Sequence, residues 1–289
     1  MHSDDGPQLP PAIRYCVPQF QNSIIALLLV PRRPGLKPIG FWCGRLGMDD
    51  FAAIRQRAHS LTYPNSQPRD AASLILVDRS GGEPKVLLGK RHGDHAFMPG
   101  HFVFPGGRIE ESDRNVPAAA ELHPAVATRL TKEVPKVDGQ TARAFALAAI
   151  RETFEETGIV IGRKHHGAMP VAPDQWGSFF ATGFLPDLSG LRFMARALAP
   201  PRTKRRFDAR FLAVDASAVA ARSEGVVHAS AELVEIVWVG LDEAMRLPLP
   251  DITEIVLTDI AASITAGFPQ DAPAPFYRMR DGRYVRDLM

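Results

Sequence analysis

The sequence predicts an α/β fold, because apolar runs of strand length alternate with amphipathic helical patterns after residue 70. A turn-forming segment at 80–84 separates the first two strand patterns, which favours a hairpin. The predicted strands are 71–78, 85–90, 207–214 and 233–239. The predicted helices are one that ends at Gly158, a short one around Trp176, one that begins at Leu241 and a last one at 252–266. Strands and helices of these lengths are typical of a layered domain.

Length and charge limit the class of protein. A chain of 289 residues can bury a substantial core, and one domain with appendages is the expected organisation. The formal net charge of +2 gives no reason to expect a nucleic-acid partner. The apolar run 24–30 is too short to span a bilayer, and Cys16 and Cys43 form no CxxC pair. We therefore expect a cytoplasmic protein with no membrane partner.

Residues 1–68 differ in character from the rest of the chain. They are rich in proline and carry little periodic pattern, apart from one helix predicted near 49–58. We interpret 1–68 as a poorly patterned N-terminal extension and 69–289 as the folded domain.

Three glutamates mark the chemically informative part of this domain. Glu152, Glu155 and Glu156 have i, i+3 and i+4 spacing, so on a helix they share one narrow arc. The apolar stripe on the other side of this helix consists of Leu147, Ile150 and Phe154. Close carboxylates repel one another, and a divalent cation would remove that repulsion while using their oxygens as hard ligands. The alternative is an ordinary solvated acidic face.

A glycine pair upstream favours the functional interpretation. Gly107 precedes Asp113 by six positions, and 151–159 reads Arg-Glu-Thr-Phe-Glu-Glu-Thr-Gly-Ile. This two-part pattern resembles the signature of the Nudix hydrolases. Asp113 stands where the family has its first Glu, Thr153 replaces an apolar residue, and an insertion of 30 residues separates the two halves.

The resemblance implies an α/β/α sandwich with a mixed β-sheet and an enzyme that hydrolyses diphosphates linked to another group. It implies Mg²⁺ or Mn²⁺ held by Glu155 and Glu156, with Glu152 and the carbonyl of Gly107 as further ligands. Arg151 is expected to orient these carboxylates. The general base is left open between Glu152 and a later glutamate. The later candidates are Glu232 and Glu235.

The insertion, about 114–140, begins with an amphipathic pattern. Ala120, Val126 and Leu130 form its apolar positions, and Pro124 is expected to kink or split the helix. We expect the insertion to pack beside the glutamate-bearing helix and to border the substrate entrance.

A second resemblance narrows the family. Coenzyme A diphosphatases carry a further motif just before the first half of the Nudix signature. Most of the fixed positions of that motif recur here. The matching residues are Leu87, Leu88, Arg91, Gly100, Phe104, Pro105, Gly106 and Gly107. Gly89, His92 and Ala96 replace a Thr, a Ser and an Arg of that motif. One branch of these enzymes has an insertion inside the Nudix signature and the pattern Arg-Phe-Asp-x-Arg-Phe downstream of it. The same pattern occurs at 206–211 here.

This branch implies hydrolysis of coenzyme A or acyl-CoA to 3′,5′-ADP and (acyl-)4′-phosphopantetheine. Arg91 and Gly106 are predicted to contact substrate. The basic segment with Arg202, Arg205 and Arg206 is predicted to clamp a phosphate, the alternative being a solvated loop. Another nucleoside diphosphate, such as a dinucleotide or ADP-sugar, is the alternative substrate. A non-catalytic, ligand-sensing Nudix domain is the alternative class, which the intact glutamate triad disfavours. A homodimer is left open.

Overall fold

The computed structural model describes residues 63–94, 98–203 and 205–289. The predicted helix near 49–58 and the Ala96 substitution lie outside the described residues, as does most of the N-terminal extension. In the part that is described, no helix combines the length and the apolar character needed to cross a membrane.

Twelve strands and five α-helices make up the described fold. The strands are β1 Arg69–Asp78, β2 Lys85–Arg91, β3 Phe102–Val103, β4 Gly106–Arg108, β5 Ile159–Lys164, β6 Phe184–Pro186, β7 Arg192–Leu198, β8 Phe207–Asp215, β9 Val219–Arg222, β10 Leu233–Gly240, β11 Pro275–Arg280 and β12 Arg283–Leu288. The helices are α1 Pro124–Thr131, α2 Thr141–Thr157, α3 Gly177–Phe180, α4 Leu241–Ala244 and α5 Asp251–Thr265. Two 3₁₀ helices, Glu111–Asn115 and Ala216–Ala218, complete the set. All four predicted strands and the four helices predicted after residue 70 are confirmed.

The main sheet is mixed and has nine strands in the described part of the chain. Its order is β10-β2-β1-β8-β7-β11-β12, with β3 paired to β2 and β4 paired to β1. β1 lies parallel to β8 from Arg69 opposite Phe207 to Val77 opposite Asp215. β1 and β2 form the predicted antiparallel hairpin, with Val77 opposite Val86. A smaller sheet has the order β6-β5-β9.

The two faces of the main sheet bury two separate cores. Because neighbouring side chains of a strand point to opposite faces, Leu74 and Leu76 enter one core while Ile75 and Val77 enter the other. Helix α2 covers the first face with Phe145, Leu147 and Ile150 among others. Helix α5 covers the second with residues such as Ile255, Val256, Leu257 and Ile260. The α/β/α sandwich is therefore confirmed.

Helix α2 ends as the sequence predicts. Gly158 is its C-cap, with a left-handed φ of 74°, and its N–H donates to the carbonyl of Phe154 at 2.8 Å. A Cβ at this glycine would also overlap the carbonyl of Ser223. β5 therefore begins immediately after the helix.

The insertion packs against the body of the domain. Pro124 is the first residue of α1 and does not kink it, because the first turn needs no N–H donor at that position. Val126 and Leu130 are buried in the core shared with α2, as expected for an element beside that helix. Ala120 lies outside the helix and forms a bridge with Asp187.

Strands β5, β6, β7, β9, β11 and β12 were not predicted from the sequence. β7 illustrates the reason, because its sequence contains two arginines that interrupt an apolar run. Arg196 is nevertheless buried and donates from Nε and Nη2 to Asp208 at 2.8 and 2.6 Å. In the sequence alone such an arginine looks like a loop residue, because its buried partner on the neighbouring strand cannot be identified.

Candidate active site

Helix α2 carries the predicted site residues on the face that turns toward β4. Arg151 is buried, Glu156 is 7% exposed and Glu155 is exposed. Thr153, which departs from the Nudix pattern, is fully buried on the core side. Its hydroxyl donates to the carbonyl of Ala149 at 2.7 Å, so the helix itself satisfies this polar group.

Arg151 joins the two halves of the split motif. Its Nε donates to Oδ1 of Asp113 at 2.9 Å and its Nη2 to Oδ2 at 3.1 Å, and both side chains are almost fully buried. The indole Nε1 of Trp176 donates to Oδ1 of Asp113 at 3.0 Å. The shorter carboxylate of Asp113 is therefore a structural partner of Arg151 and does not line the cavity described below.

The remaining donors of Arg151 hold two of the three glutamates. Its Nη1 lies 2.9 Å from Oε1 of Glu152 and 3.0 Å from Oε2 of Glu155. This arrangement agrees with the expected orienting role of Arg151. It also turns the exposed Glu155 away from the cavity, whose described lining does not include it.

The glycine pair brings the backbone of β4 against the other carboxylates. The N–H of Gly106 donates to Oε2 of Glu156 at 3.0 Å. A Cβ on Gly107 would overlap the carboxylate of Glu152, so only glycine allows this close approach. The pairing of β4 with β1 fixes both glycines, since Gly107 lies opposite Ala72 and Gly106 opposite Ser73.

Burial and mutual repulsion favour the protonated forms of these acids. Burial raises the pKa of Glu152 to about 7, with further increases from the charges of Glu155 and Glu232, while Arg151 lowers it. Burial also raises the pKa of Glu156 well above its usual range, and Glu232 and Glu152 add to this. Partial burial of the carboxylate likewise raises the pKa of Glu155, although the residue as a whole is exposed. A positive charge placed among these groups would reverse the trend.

Glu232 and Arg91 approach the same cavity from the opposite side. Nη1 of Arg91, at the end of β2, donates to Oε1 of Glu232 at 2.9 Å. The N–H of His92 donates to the backbone carbonyl of Glu232 at 3.1 Å, which anchors the loop before β10. The alternative base, Glu235, lies on β10 at 3.9 Å from Lys90 and does not line the cavity.

These groups surround a cavity of about 400 Å³. Of the predicted residues, Arg91, Gly106, Gly107, Glu152, Arg205 and Glu232 line it. Sequence reasoning missed Arg108 and Glu110, which follow the glycine pair directly, and the start of α5 at Pro250, Ile252 and Thr253. The short sequence separation of Arg108 and Glu110 from Gly107 could have indicated that these two residues line the cavity. No local signal in the sequence indicates that the start of α5 does so.

Two expectations find no support in the described lining of this cavity. Arg202 occupies a turn with a φ of 64° and lines no part of the cavity, and Arg206 lines only a neighbouring groove. No residue of 114–140 belongs to the described lining, so the prediction that the insertion borders the substrate entrance stays a prediction. Its apolar positions are instead used in the core beside α2.

At Gly89 the structure explains why the chain departs from the coenzyme A diphosphatase motif. A Cβ at Gly89 would overlap the side chain of Leu233 on the paired strand β10. The space that a threonine would need is therefore filled by Leu233. His92 uses its Nδ1 to accept from the N–H of Asp94 at 3.0 Å.

Comparison with known proteins shows which proteins the chain resembles. No family model matches the chain. A NUDIX hydrolase from Alicyclobacillus acidocaldarius has a similar structure, with a TM-score of 0.51 and 27% identity over 72% of this chain and 99% of that one. In its fold and in the residues of its site, the chain resembles the Nudix hydrolases.

Curated relatives refine this assignment. Acyl-coenzyme A diphosphatase NUDT19 of Xenopus laevis is 37% identical over 95 residues, or 27% of this chain and 25% of the relative. The protein of the same name from Gallus gallus is 31% identical over 136 residues, or 35% of each chain. Within the superfamily the chain is thus similar to the coenzyme A diphosphatase branch. It matches about a third or less of these relatives' length.

Proposed function

We propose that this protein is a divalent-metal-dependent hydrolase of diphosphate linkages. The observation that carries the proposal is the convergence of Glu152 and Glu156 on the Gly106–Gly107 backbone beside a cavity that also contains Arg91 and Glu232. A carboxylate cluster that burial and repulsion destabilise in its charged form is suited to a cation and a polyanionic substrate.

Mg²⁺ or Mn²⁺ fits the donor chemistry of this cluster, because both cations prefer carboxylate and carbonyl oxygens. Glu156, Glu152 and Glu155 would hold it, together with the carbonyl of Gly107. Among the described residues no three acidic, histidine or cysteine side chains already form a compact ligand set. When bound, the cation would neutralise the diphosphate and make a coordinated water more acidic.

The residues of the chain bind the substrate and orient the reacting groups. Water attacks one phosphorus of the P–O–P linkage, and the bridging oxygen leaves with the other phosphate. Glu152 and Glu232 both face the cavity, and either can accept the proton of the attacking water. Arg91 holds Glu232 in place and can donate to a phosphate oxygen, as can Arg205. Arg151 fixes Glu152 in position through its own anchor at Asp113.

Coenzyme A or an acyl derivative is the substrate we propose, giving 3′,5′-ADP and (acyl-)4′-phosphopantetheine. The support is the similarity to the curated acyl-coenzyme A diphosphatases and the matching motif from Leu87 to Gly107. We also propose a cytoplasmic location, because the chain offers no CxxC pair and a nearly balanced charge.

The test is hydrolysis of a diphosphate panel with and without EDTA. The panel contains coenzyme A, dephospho-coenzyme A, NADH and ADP-ribose. Glu156→Gln keeps an acceptor for the N–H of Gly106 but removes a charge, so turnover should fall by about two to three orders of magnitude or more. Glu243→Gln, an exposed glutamate on α4, is the matched control and should retain turnover. Undiminished hydrolysis in EDTA or in Glu156→Gln would refute metal dependence, and a preference for NADH or ADP-ribose would refute the coenzyme A assignment.

A further inference from the structure

A groove of about 730 Å³ adjoins the active-site cavity. Four arginines line it, Arg69, Arg108, Arg205 and Arg206, and none of its described lining residues is acidic. It shares Arg108, Arg205 and Phe207 with the active-site cavity, so the two spaces are continuous along these side chains. A molecule bound at the glutamates could therefore extend into the groove.

The main sheet brings these arginines together from distant parts of the sequence. Arg69 begins β1, opposite Phe207 of β8, and its N–H donates to the carbonyl of Arg206 at 2.9 Å. Arg108 ends β4, where it pairs with Ala71 of β1. Three of the four arginines are thus placed by strand pairing at the same end of β1. Their convergence is a property of the fold.

Two of these arginines, Arg206 and Arg108, form at most weak ion pairs within the described residues. The guanidinium of Arg206 donates to neutral oxygens, the carbonyls of Ala199 at 3.2 Å and Ser66 at 3.0 Å among them. The recorded ion pair of Arg108 is a long one, 3.6 Å from Nη2 to Oε1 of Glu110. Like charges gathered in this way repel one another, and a bound anion would offset the repulsion. The planar fork of arginine matches the geometry of a phosphate group.

We propose that this groove binds a phosphomonoester that the substrate carries in addition to its diphosphate. The inference rests on the proposed function, because it assumes that the diphosphate lies at the glutamates. It selects substrates with a third phosphate, such as the 3′-phosphate of coenzyme A, over those that lack one. The arginines proposed to bind this phosphate therefore differ from those predicted from the sequence. The new set does not contain Arg202, and it additionally contains Arg69 and Arg108.

The kinetic test compares one substrate pair across matched variants. In Arg69→Gln, the ratio of kcat/KM for coenzyme A to that for dephospho-coenzyme A should fall about tenfold, as expected for loss of one charge-assisted contact. Arg283→Gln removes an exposed arginine of β12, outside both linings, and should keep the original ratio. Arg108→Gln provides a second variant if Arg69→Gln fails to fold. An unchanged ratio in a folded groove variant would overturn the inference.

A binding measurement separates this inference from the proposed function. By calorimetry, adenosine 3′,5′-bisphosphate should bind about tenfold more tightly than AMP, and Arg69→Gln should remove most of the difference. If the difference is present but no diphosphate is hydrolysed, the proposed function fails and the groove stands. If diphosphates are hydrolysed but the two nucleotides bind equally, the groove inference fails and the function stands.

Discussion

Arg151 and Asp113, 38 residues apart, form a buried two-point ion pair, with Nε to Oδ1 at 2.9 Å and Nη2 to Oδ2 at 3.1 Å. The same guanidinium contacts Glu152 and Glu155. The pair therefore connects the first half of the Nudix motif to the second across the insertion. Through this ion pair, the position of the 3₁₀ helix Glu111–Asn115 helps to fix the positions of Glu152 and Glu155.

Removing Asp113 should destabilise the protein strongly. Asp113→Ala leaves the buried guanidinium of Arg151 without its main partner, which typically costs about 3–5 kcal/mol. Urea unfolding would measure the change in free energy of unfolding. Glu111→Ala, an exposed acid on the same 3₁₀ helix, should cost less than about 1 kcal/mol. Equal effects from the two variants would contradict the structural role of the ion pair.

Trp176 should contribute through its N–H as well as its ring. Trp176→Phe keeps an aromatic ring next to Phe179 but removes the donor to Asp113. A hydrogen bond to a charged group contributes about 1.5–3 kcal/mol, and thermal unfolding should show a loss of that order. Trp238→Phe, at a 40% exposed position on β10, is the control and should change stability little. A loss no larger than the control's would show that the N–H is unimportant.

Gly107→Ala should reduce turnover while the fold persists. The added Cβ would overlap the carboxylate of Glu152, so this side chain must move away from the backbone of β4. A displaced acid in a catalytic cluster can cost about 100-fold in rate. Turnover with coenzyme A and circular dichroism would be measured together. Gly139→Ala adds a Cβ into open space and should retain activity, and full activity in Gly107→Ala would exclude this close approach.

The insertion should matter for stability more than for substrate. Leu130 is 1% exposed in the core beside α2, so Leu130→Ala should cost about 2–5 kcal/mol. KM should stay unchanged at a temperature where the variant is folded, because the described cavity lining contains no insertion residue. Thr128→Ala, at an exposed position of α1, controls for the helix itself. A large change in KM with little loss of stability would restore the entrance hypothesis.

A chain that begins at Arg69 should remain folded. Exposed hydrogen bonds cross this boundary within the described residues, from the side chain of Arg206 to Asn65 and to the carbonyl of Ser66. Loss of about 1 kcal/mol is expected, seen as a small shift of a cooperative melt. Ser66, Gln67 and Pro68 also line the arginine groove, so the preference for coenzyme A should weaken. Loss of cooperative unfolding would show that the removed residues are structural.

Some elements were predictable because their signals are local. The strand at 71–78 is an apolar run that the sheet buries on both faces, and Gly158 marks the end of α2 directly. β7 and β11 were missed because their arginines are satisfied by distant partners, as Arg196 is by Asp208. Pro124 was interpreted as a kink because the sequence does not show where the helix begins.

The sequence by itself determined the family resemblance, the glutamate arc and the apolar face of α2, because each depends on spacing within one helix or one turn. Tertiary structure alone decided that Asp113 anchors Arg151, that Gly107 makes room for Glu152, and that Arg69 and Arg108 join Arg205 and Arg206. The physical reason is strand pairing and burial. These bring together groups separated by tens of residues, and no local spacing encodes which of them will meet.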